Sequence, residues 1–171
     1  MKTALMACMA LVLLSAVACT RSKNVSYKDN VQKALEQADL KDVTVSEDRD
    51  KNTITLGGKL HSDDAKQRAA EIAQSAADGS VIANEISVEP VGKESDARNI
   101  ESNVDDAIEK NYKAALIANG LDKANIHFDS KNGVLTLKGK VKSAGQRQQA
   151  QSVAASVPNV AQVVNEIQVS R

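Results

Sequence analysis

Residues 133–141 read GVLTLKGKV, and residues 52–60 read NTITLGGKL, which is closely similar. Adding ~81 to the residue number superimposes the two stretches without a gap. The same shift pairs the two NEI triplets at 84–86 and 165–167. A repeat at a fixed spacing is typical of tandem copies of one structural unit. Beyond its N-terminal segment, the chain is therefore predicted to contain two copies of one small module.

Both copies show the same order of sequence patterns for helices, strands and turns around these stretches. Apolar residues first recur at helical spacing, and a short strand and a turn follow, which is Asn132-Gly133 in the second copy. The quoted stretch then alternates as a strand does. Ser62 and Ser143 stand where N-caps belong, before an alanine-rich helix, and an apolar strand ends each copy. Within the alternating strands, Gly58 and Gly139 are expected to let a helix pack close to the sheet.

This order predicts an α+β fold class with two tandem α-β-β-α-β modules, each a three-stranded mixed sheet covered by two helices. Module 1 is predicted at residues 27–89 and module 2 at residues 102–171. Residues 90–101, which contain Pro90 and Gly92, are predicted to be a linker.

The first 18 residues are predicted to be a secretory signal peptide. They combine a short basic start with an uncharged run from Ala4 to Ala18, which is short for a bilayer span. Residues 15–19, SAVAC, resemble a bacterial lipobox, which implies lipidation of Cys19 and a lipidated tether at 19–26. An uncleaved signal anchor, or ordinary cleavage that leaves a soluble periplasmic protein, are the alternatives. Thr20 follows the cysteine where an inner-membrane retention signal has Asp, so the resemblance implies an outer-membrane lipoprotein facing the periplasm.

The two modules carry a shared motif beyond their order of elements. An L-x-G-x-V/L strand stands at 56–60 and 137–141, and a closing V/I-x-N-x-I-x-V strand at 82–88 and 163–169. These motifs resemble the BON domain and make the chain similar to tandem BON-domain envelope lipoproteins. The resemblance implies phospholipid or envelope binding without catalysis, and a role in membrane integrity or osmotic-stress tolerance.

Composition and residue patterns argue against several other functions. Aromatic residues are 2% of the chain and the formal net charge is zero, which disfavours a nucleic-acid partner. His61 and His127 occupy different positions in the repeat, and Asp63-Asp64 follows an N-cap, where acidic residues favour the helix dipole. We find no catalytic set, no metal-ligand spacing and no cofactor motif, so we predict no enzyme, no cofactor and no metal site.

The two modules differ in net charge. Residues 31–90 carry about −5 and residues 112–171 about +5. The candidate contacts with anionic lipid all lie in module 2, and they are Lys138, Lys140, Lys142, Arg147 and Lys113. A plainly solvated strand face is the alternative explanation. We therefore predict that the chain binds phospholipid surfaces. The alternative function is binding of an envelope protein, with no lipid contact beyond the anchor.

Overall fold

The computed structural model describes residues 26–170. The predicted signal peptide at 1–18, the predicted lipidation at Cys19 and nearly all of the predicted tether at 19–26 lie outside the described residues. Within residues 26–170, no helix is both long enough and apolar enough to cross a bilayer.

Module 1 has two helices on one face of a small sheet, as its repeat pattern predicts. Its elements are α1 (Lys28–Gln37), β1 (Val43–Asp48), β2 (Thr53–Leu60), α2 (Asp63–Ala76), β3 (Val81–Asn84) and β4 (Ser87–Val88). Module 2 repeats this order. Its elements are α3 (Glu94–Ala118), β5 (Asn125–Lys131), β6 (Val134–Val141), α4 (Ala144–Ala155), β7 (Gln162–Asn165) and β8 (Gln168–Val169). The predicted α+β class with two tandem modules is confirmed.

Each sheet is mixed, and its third strand is broken in two. β2 lies at the centre, antiparallel to β1 and parallel to both β3 and β4, and β6 has the same relation to β5, β7 and β8. At the break in module 2, the Asn165 side chain accepts the backbone N–H of Ile167. Extended pairing is thereby interrupted, and Ile167, like Ile86 in module 1, is buried in its core.

The two modules have separate hydrophobic cores, built from aliphatic side chains of the helices and of the helix-facing side of the sheet. Tyr112 is the largest fully buried side chain of module 2. Its hydroxyl donates to the Ala150 carbonyl oxygen at 3.2 Å, and its ring meets Phe128 edge to face at 4.9 Å. Burial raises the pKa of Tyr112 to about 12, so this hydroxyl stays protonated as a donor.

Local signals for two helix starts and one turn are confirmed. Ser62 accepts from the Ala65 N–H at 3.3 Å and Ser143 accepts from the Gln146 N–H at 3.2 Å, which caps α2 and α4. Asn132 and Gly133 both have positive φ, as a two-residue hairpin turn requires.

The repeat contains a compensating two-residue shift that the ungapped alignment hides. Val43 lies opposite Gly58, but Ile126 lies opposite Gly139, so Ile126 is the structural counterpart of Val43. Module 2 therefore has two more residues between the end of its first helix and this strand position, seven after Ala118 against five after Gln37. It also has two fewer in its hairpin, residues 132–133 against residues 49–52 in module 1. In the ungapped repeat alignment, β6 therefore stays aligned with β2, whereas β5 is displaced by two residues relative to β1.

The expectation that Gly58 and Gly139 make room for a helix is wrong. A β-carbon on Gly139 would lie 2.1 Å from the carbonyl oxygen of Asn125, and one on Gly58 would lie 2.1 Å from that of Asp42. Their φ angles are +117° and +100°. Both glycines therefore accommodate the backbone that enters the neighbouring strand.

The predicted linker at 90–101 differs from the observed structure. Residues 94–101 form the first two turns of α3, which begins with Glu94 and Asp96 in its first turn. Glu101 connects this part of the helix to module 1, because its carboxylate accepts the Ser87 hydroxyl at 2.6 Å and the Val88 N–H at 3.0 Å. Only residues 89–93 separate the last strand of module 1 from the first helix of module 2.

The two modules pack against each other along β3 and β7. The Gln162 side-chain amide donates to the Ile82 carbonyl oxygen and accepts the Asn84 N–H at 3.2 Å, as a neighbouring strand would. A small apolar cluster spans the same contact, and its members are Ala83, Val134 and Val164. The outer edge of β3 is thus covered by module 2.

The hairpin turn of module 2 is the second part of this contact. The Asn132 side chain donates to the Glu85 carbonyl oxygen at 2.7 Å, and Lys66 donates to the Asn132 carbonyl oxygen at 3.4 Å. Two ion pairs between the modules flank the turn, Lys131 with Glu85 at 3.2 Å and Lys51 with Glu166 at 2.9 Å. The hydrogen bonds and ion pairs fix the relative placement of the modules.

Candidate functional site

The five basic residues singled out from the sequence are all exposed on module 2, but they do not form a single cluster. Lys138 and Lys140 lie on β6, and Lys142 follows directly after that strand. Arg147 lies on α4 and Lys113 on α3. The structure brings Lys140 and Lys142 to one recess, and it places Lys113 at a neighbouring groove.

The recess, which we call the basic recess, has a volume of about 490 Å³. Its charged lining residues are Lys123, Lys140 and Lys142, and none of its lining residues is Asp or Glu. Gly120, Ala124, Asn125, Val141, Gln146 and Ser170 complete its walls. Sequence reasoning missed Lys123, because this residue lies in the longer segment before β5, where no periodic pattern marks a shared face.

The neighbouring apolar groove has a volume of about 370 Å³ and meets the basic recess at Ala124. Its apolar lining comes from the end of α3 and from β5, and consists of Leu116, Ile117, Leu121, Ala124, Ile126 and Phe128. Lys113 and Asp122 are its charged lining residues. Ile117 is 58% exposed, so the groove presents apolar surface to solvent. A cationic recess therefore adjoins an apolar surface.

Six exposed basic residues of module 2 are electrostatically unpaired within residues 26–170. Lys123 and the five predicted residues have no carboxylate oxygen within 4.0 Å there. Their charge is therefore available to an external anion. Exposed ammonium groups keep their full hydration until such an anion replaces it, so attraction depends on ionic strength.

Module 1 neutralises the cation that corresponds to Lys140. Lys59, at the matching position of β2, pairs with the buried carboxylate of Glu89 at 3.1 Å, and Arg98 pairs with the same carboxylate at 2.7 Å. Burial raises the pKa of Glu89, but its hydrogen bond and ion pair with Lys59 and its ion pair with Arg98 lower it by more. The net effect is a Glu89 pKa below its ordinary value. Module 1 thus lacks an equivalent free cation at this place.

Acidic side chains line a cleft between the modules, and several of them hold backbone in place. Asp105 accepts from the Ser130 hydroxyl at 2.8 Å and from the N–H groups of Asn132 and Gly133 at 2.7 and 3.0 Å. Glu109, one turn further along α3, accepts the Ser130 N–H at 3.0 Å. These carboxylates fix the hairpin turn of module 2 against α3. Within residues 26–170, no group of His, Cys, Asp or Glu side chains is arranged to hold a metal ion.

The remaining residues considered for chemistry have structural environments. His61 Nδ1 lies 2.9 Å from the Glu89 carbonyl oxygen, and His127 is exposed on the edge strand β5. Asp63 and Asp64 lie in the first turn of α2, where they favour the helix dipole. Within the described part of the chain, neither histidine has a carboxylate oxygen within 4.0 Å.

Two solved structures of CdsD, a structural protein of the type III secretion system of Chlamydia trachomatis, are similar to this chain. One is 10% identical in sequence, and the match covers 83% of this chain and 91% of the CdsD chain with a TM-score of 0.37. The other, of the C-terminal domain, is 11% identical, covers 86% and 98%, and has a TM-score of 0.35. No curated protein matches the chain.

The family comparison covers both modules. The model of the BON domain matches residues 26–90 and residues 104–171. The two matches correspond to the two mixed sheets with their covering helices. The chain therefore belongs to the BON domain family and carries two copies of the domain.

Proposed function

We propose that this chain is a non-catalytic cell-envelope lipoprotein that binds phospholipid membrane surfaces through module 2, in support of envelope integrity or osmotic-stress tolerance. BON domains are binding domains without catalytic activity, and they are associated with phospholipid binding and envelope stress. The observation that carries the proposal is the basic recess, with its unpaired lysines, beside the apolar groove that exposes Ile117.

The energetics suit a protein that is already held near a membrane. Each basic residue close to an anionic surface contributes about 1 kcal/mol at physiological ionic strength. Insertion of the exposed part of Ile117 among lipid headgroups adds about 1 kcal/mol. The sum gives only weak binding from solution, but it suffices to orient a domain whose local concentration is raised by an anchor.

The anchor is part of the proposal. Cleavage after Ala18, lipidation of Cys19 and residence in the outer membrane facing the periplasm follow from the lipobox-like sequence at 15–19. Several acyl chains on one cysteine would hold the protein stably, whereas a single chain binds only marginally. Intact mass measurement of the detergent-extracted protein tests this step. An unmodified mature chain in the soluble periplasmic fraction would replace the anchored form with the soluble alternative.

Vesicle sedimentation tests the lipid contact itself. The fragment from Asn24 to Arg171 contains every described residue, and it should sediment with anionic vesicles at low salt but not with neutral ones. Replacing Lys138, Lys140 and Lys142 by Ser should abolish this binding. A matched variant replaces three other exposed lysines by Ser, at Lys28, Lys33 and Lys110. It should bind nearly as the parent does. Equal binding by both triple variants would refute the placement on module 2.

A protein partner is the second candidate function, and the acidity of module 1 favours it. The β3 edge is not available to a partner strand, because it is covered by Gln162. β1 still forms an outer edge of its sheet and could pair with an added strand. Absence of vesicle binding, with recovery of one stoichiometric envelope protein through module 1, would favour this function over lipid binding.

A further inference from the structure

We propose that the basic recess binds one phosphate group at a defined site, so that the contact between module 2 and lipid is stoichiometric rather than a diffuse attraction. The inference rests on the proposed function for the source of the phosphate, which is a lipid headgroup. The observation behind it is that three lysines line one recess, and that no Asp or Glu of residues 26–170 does.

The charge and size of the recess suit a phosphate-bearing headgroup. Lysine ammonium groups donate strong, charge-assisted hydrogen bonds to phosphate oxygens. A volume of about 490 Å³ lies in the usual range of small-molecule sites and exceeds what a bare phosphate needs. The recess therefore has room for the glycerol or headgroup alcohol attached to the phosphate.

The backbone that carries the lysines is held in place before any ligand arrives. Lys123 lies on a turn closed by the hydrogen bond from the Ala124 N–H to the Leu121 carbonyl at 3.0 Å, and the Ile126 N–H closes the next turn by donating to the Ala124 carbonyl at 2.8 Å. The Lys142 N–H donates to the Gln146 side-chain oxygen at 2.9 Å. Such preorganisation lowers the entropy cost of binding and distinguishes a site from a set of independent surface charges.

Module 1 provides an internal comparison. It lacks the two additional residues before its first strand, and Lys59, its counterpart of Lys140, is paired with Glu89. His61 stands at the position that corresponds to Lys142. The site should therefore exist in module 2 and have no equivalent in module 1.

Titration with inorganic phosphate tests the site without a membrane. In the fragment from Asn24 to Arg171, amide resonances of residues 120–125 and 140–146 should shift and saturate with phosphate, and not with chloride at equal ionic strength. Lys140→Ser should weaken the fitted affinity about tenfold, because it removes a charge-assisted hydrogen bond. Lys110→Ser is the control, with the same loss of charge at an exposed residue of module 2 outside the recess, and it should change the affinity less than about twofold.

Vesicles of matched surface charge then identify the source of the phosphate. We expect stronger binding to vesicles with phosphatidic acid or phosphatidylglycerol than to vesicles made equally anionic with a fatty acid, and a larger loss for Lys140→Ser than for Lys110→Ser. Equal losses for the two variants, or equal binding to phosphate-free anionic vesicles, would overturn the defined site but leave the proposed lipid-binding function standing. Saturable phosphate binding without vesicle binding would support the site, assign it to free phosphate, and contradict the proposed function.

Discussion

Replacement of Gly139 by alanine is predicted to destabilise module 2 strongly. The φ angle of this residue is +117°, and an added β-carbon would lie 2.1 Å from the Asn125 carbonyl oxygen. Real β-carbons essentially never approach another atom within 3.0 Å. The obstacle is backbone, not the end of a flexible side chain, so one strand must move by roughly 1 Å.

The expected cost has two sources. A non-glycine residue held at such a φ angle costs about 1–3 kcal/mol. Moving the Asn125 carbonyl disturbs the pairing of Asn125 with Lys140, where each lost hydrogen bond costs about 1 kcal/mol. The free energy of unfolding should therefore fall by about 3–5 kcal/mol, which is a large part of the about 5–15 kcal/mol typical of a domain.

Gly145→Ala is the matched control, because the same chemical change is expected to have the opposite sign. Gly145 lies in the first turn of α4, and its added β-carbon would meet only the Ser143 side-chain oxygen, at 3.7 Å. Alanine in a helix is favoured over glycine by about 0.5–1 kcal/mol. Urea unfolding followed by circular dichroism gives both differences. A loss below about 1 kcal/mol for Gly139→Ala would refute the reasoning from backbone contact.

Three further predictions address the hairpin turn of module 2, the apolar groove and the pH dependence. Asp105→Ala should lower the free energy of unfolding by about 2–4 kcal/mol, because two backbone N–H groups and a hydroxyl lose their acceptor. Asp106→Ala, at an exposed neighbour, should change it by less than about 0.5 kcal/mol in the same urea experiment. Ile117→Ser should weaken sedimentation with anionic vesicles about fivefold, and an unchanged unfolding midpoint would show that the effect is on binding. Because the folded pKa of Glu89 is lowered, its ionised form adds stability that is lost as pH falls through that pKa, so Glu89→Gln should lose less stability than the parent between about pH 6 and pH 3. A steeper loss for the variant would contradict that sign.

The order of elements was predictable because each element leaves a periodic or capping signal. The alternation in 133–141 determines which side chains of β6 enter the core, and Ser143 marks the start of α4 by a hydrogen bond local to the sequence. The Asn132-Gly133 pair fixes its turn by the φ angles that it tolerates. These signals depend on residues near one another in the chain, so they survive without knowledge of the tertiary structure.

The first turns of α3 and the contact between the modules leave no such signal. Residues 94–101 bury little apolar surface, and Ile100 is 63% exposed, so helical periodicity does not extend into them. Their helix is tied to module 1 through Glu101, a polar contact that sequence spacing does not reveal. The side-chain amide of Gln162 bonds to the backbone of β3 as a neighbouring strand would, and sequence patterns do not reveal this contact either. Polar contacts between distant segments follow from geometry, not from composition.

Only part of the basic recess could be predicted from the sequence, for a related reason. Lys140 and Lys142 stood out because they recur with period two on a recognisable strand. Lys123 comes from the longer segment before β5, which the ungapped repeat alignment assigned to the wrong register. Lys138 and Arg147 shared the strand or the charge of the predicted set, but the structure places both outside the recess lining.

The two-residue shift gives the two ends of β5 different roles. At the start of the strand the added residues form a wall of the basic recess, and at its end the shortened hairpin packs against module 1. A strand from Asn125 to Lys131 separates these ends by about 20 Å. The Debye length at physiological ionic strength is about 8 Å, so under the proposed function a membrane in contact with the recess would be screened from the negative charge of module 1. One displacement in the repeat therefore brings Lys123 to the basic recess and places the contact with module 1 at the opposite end of β5.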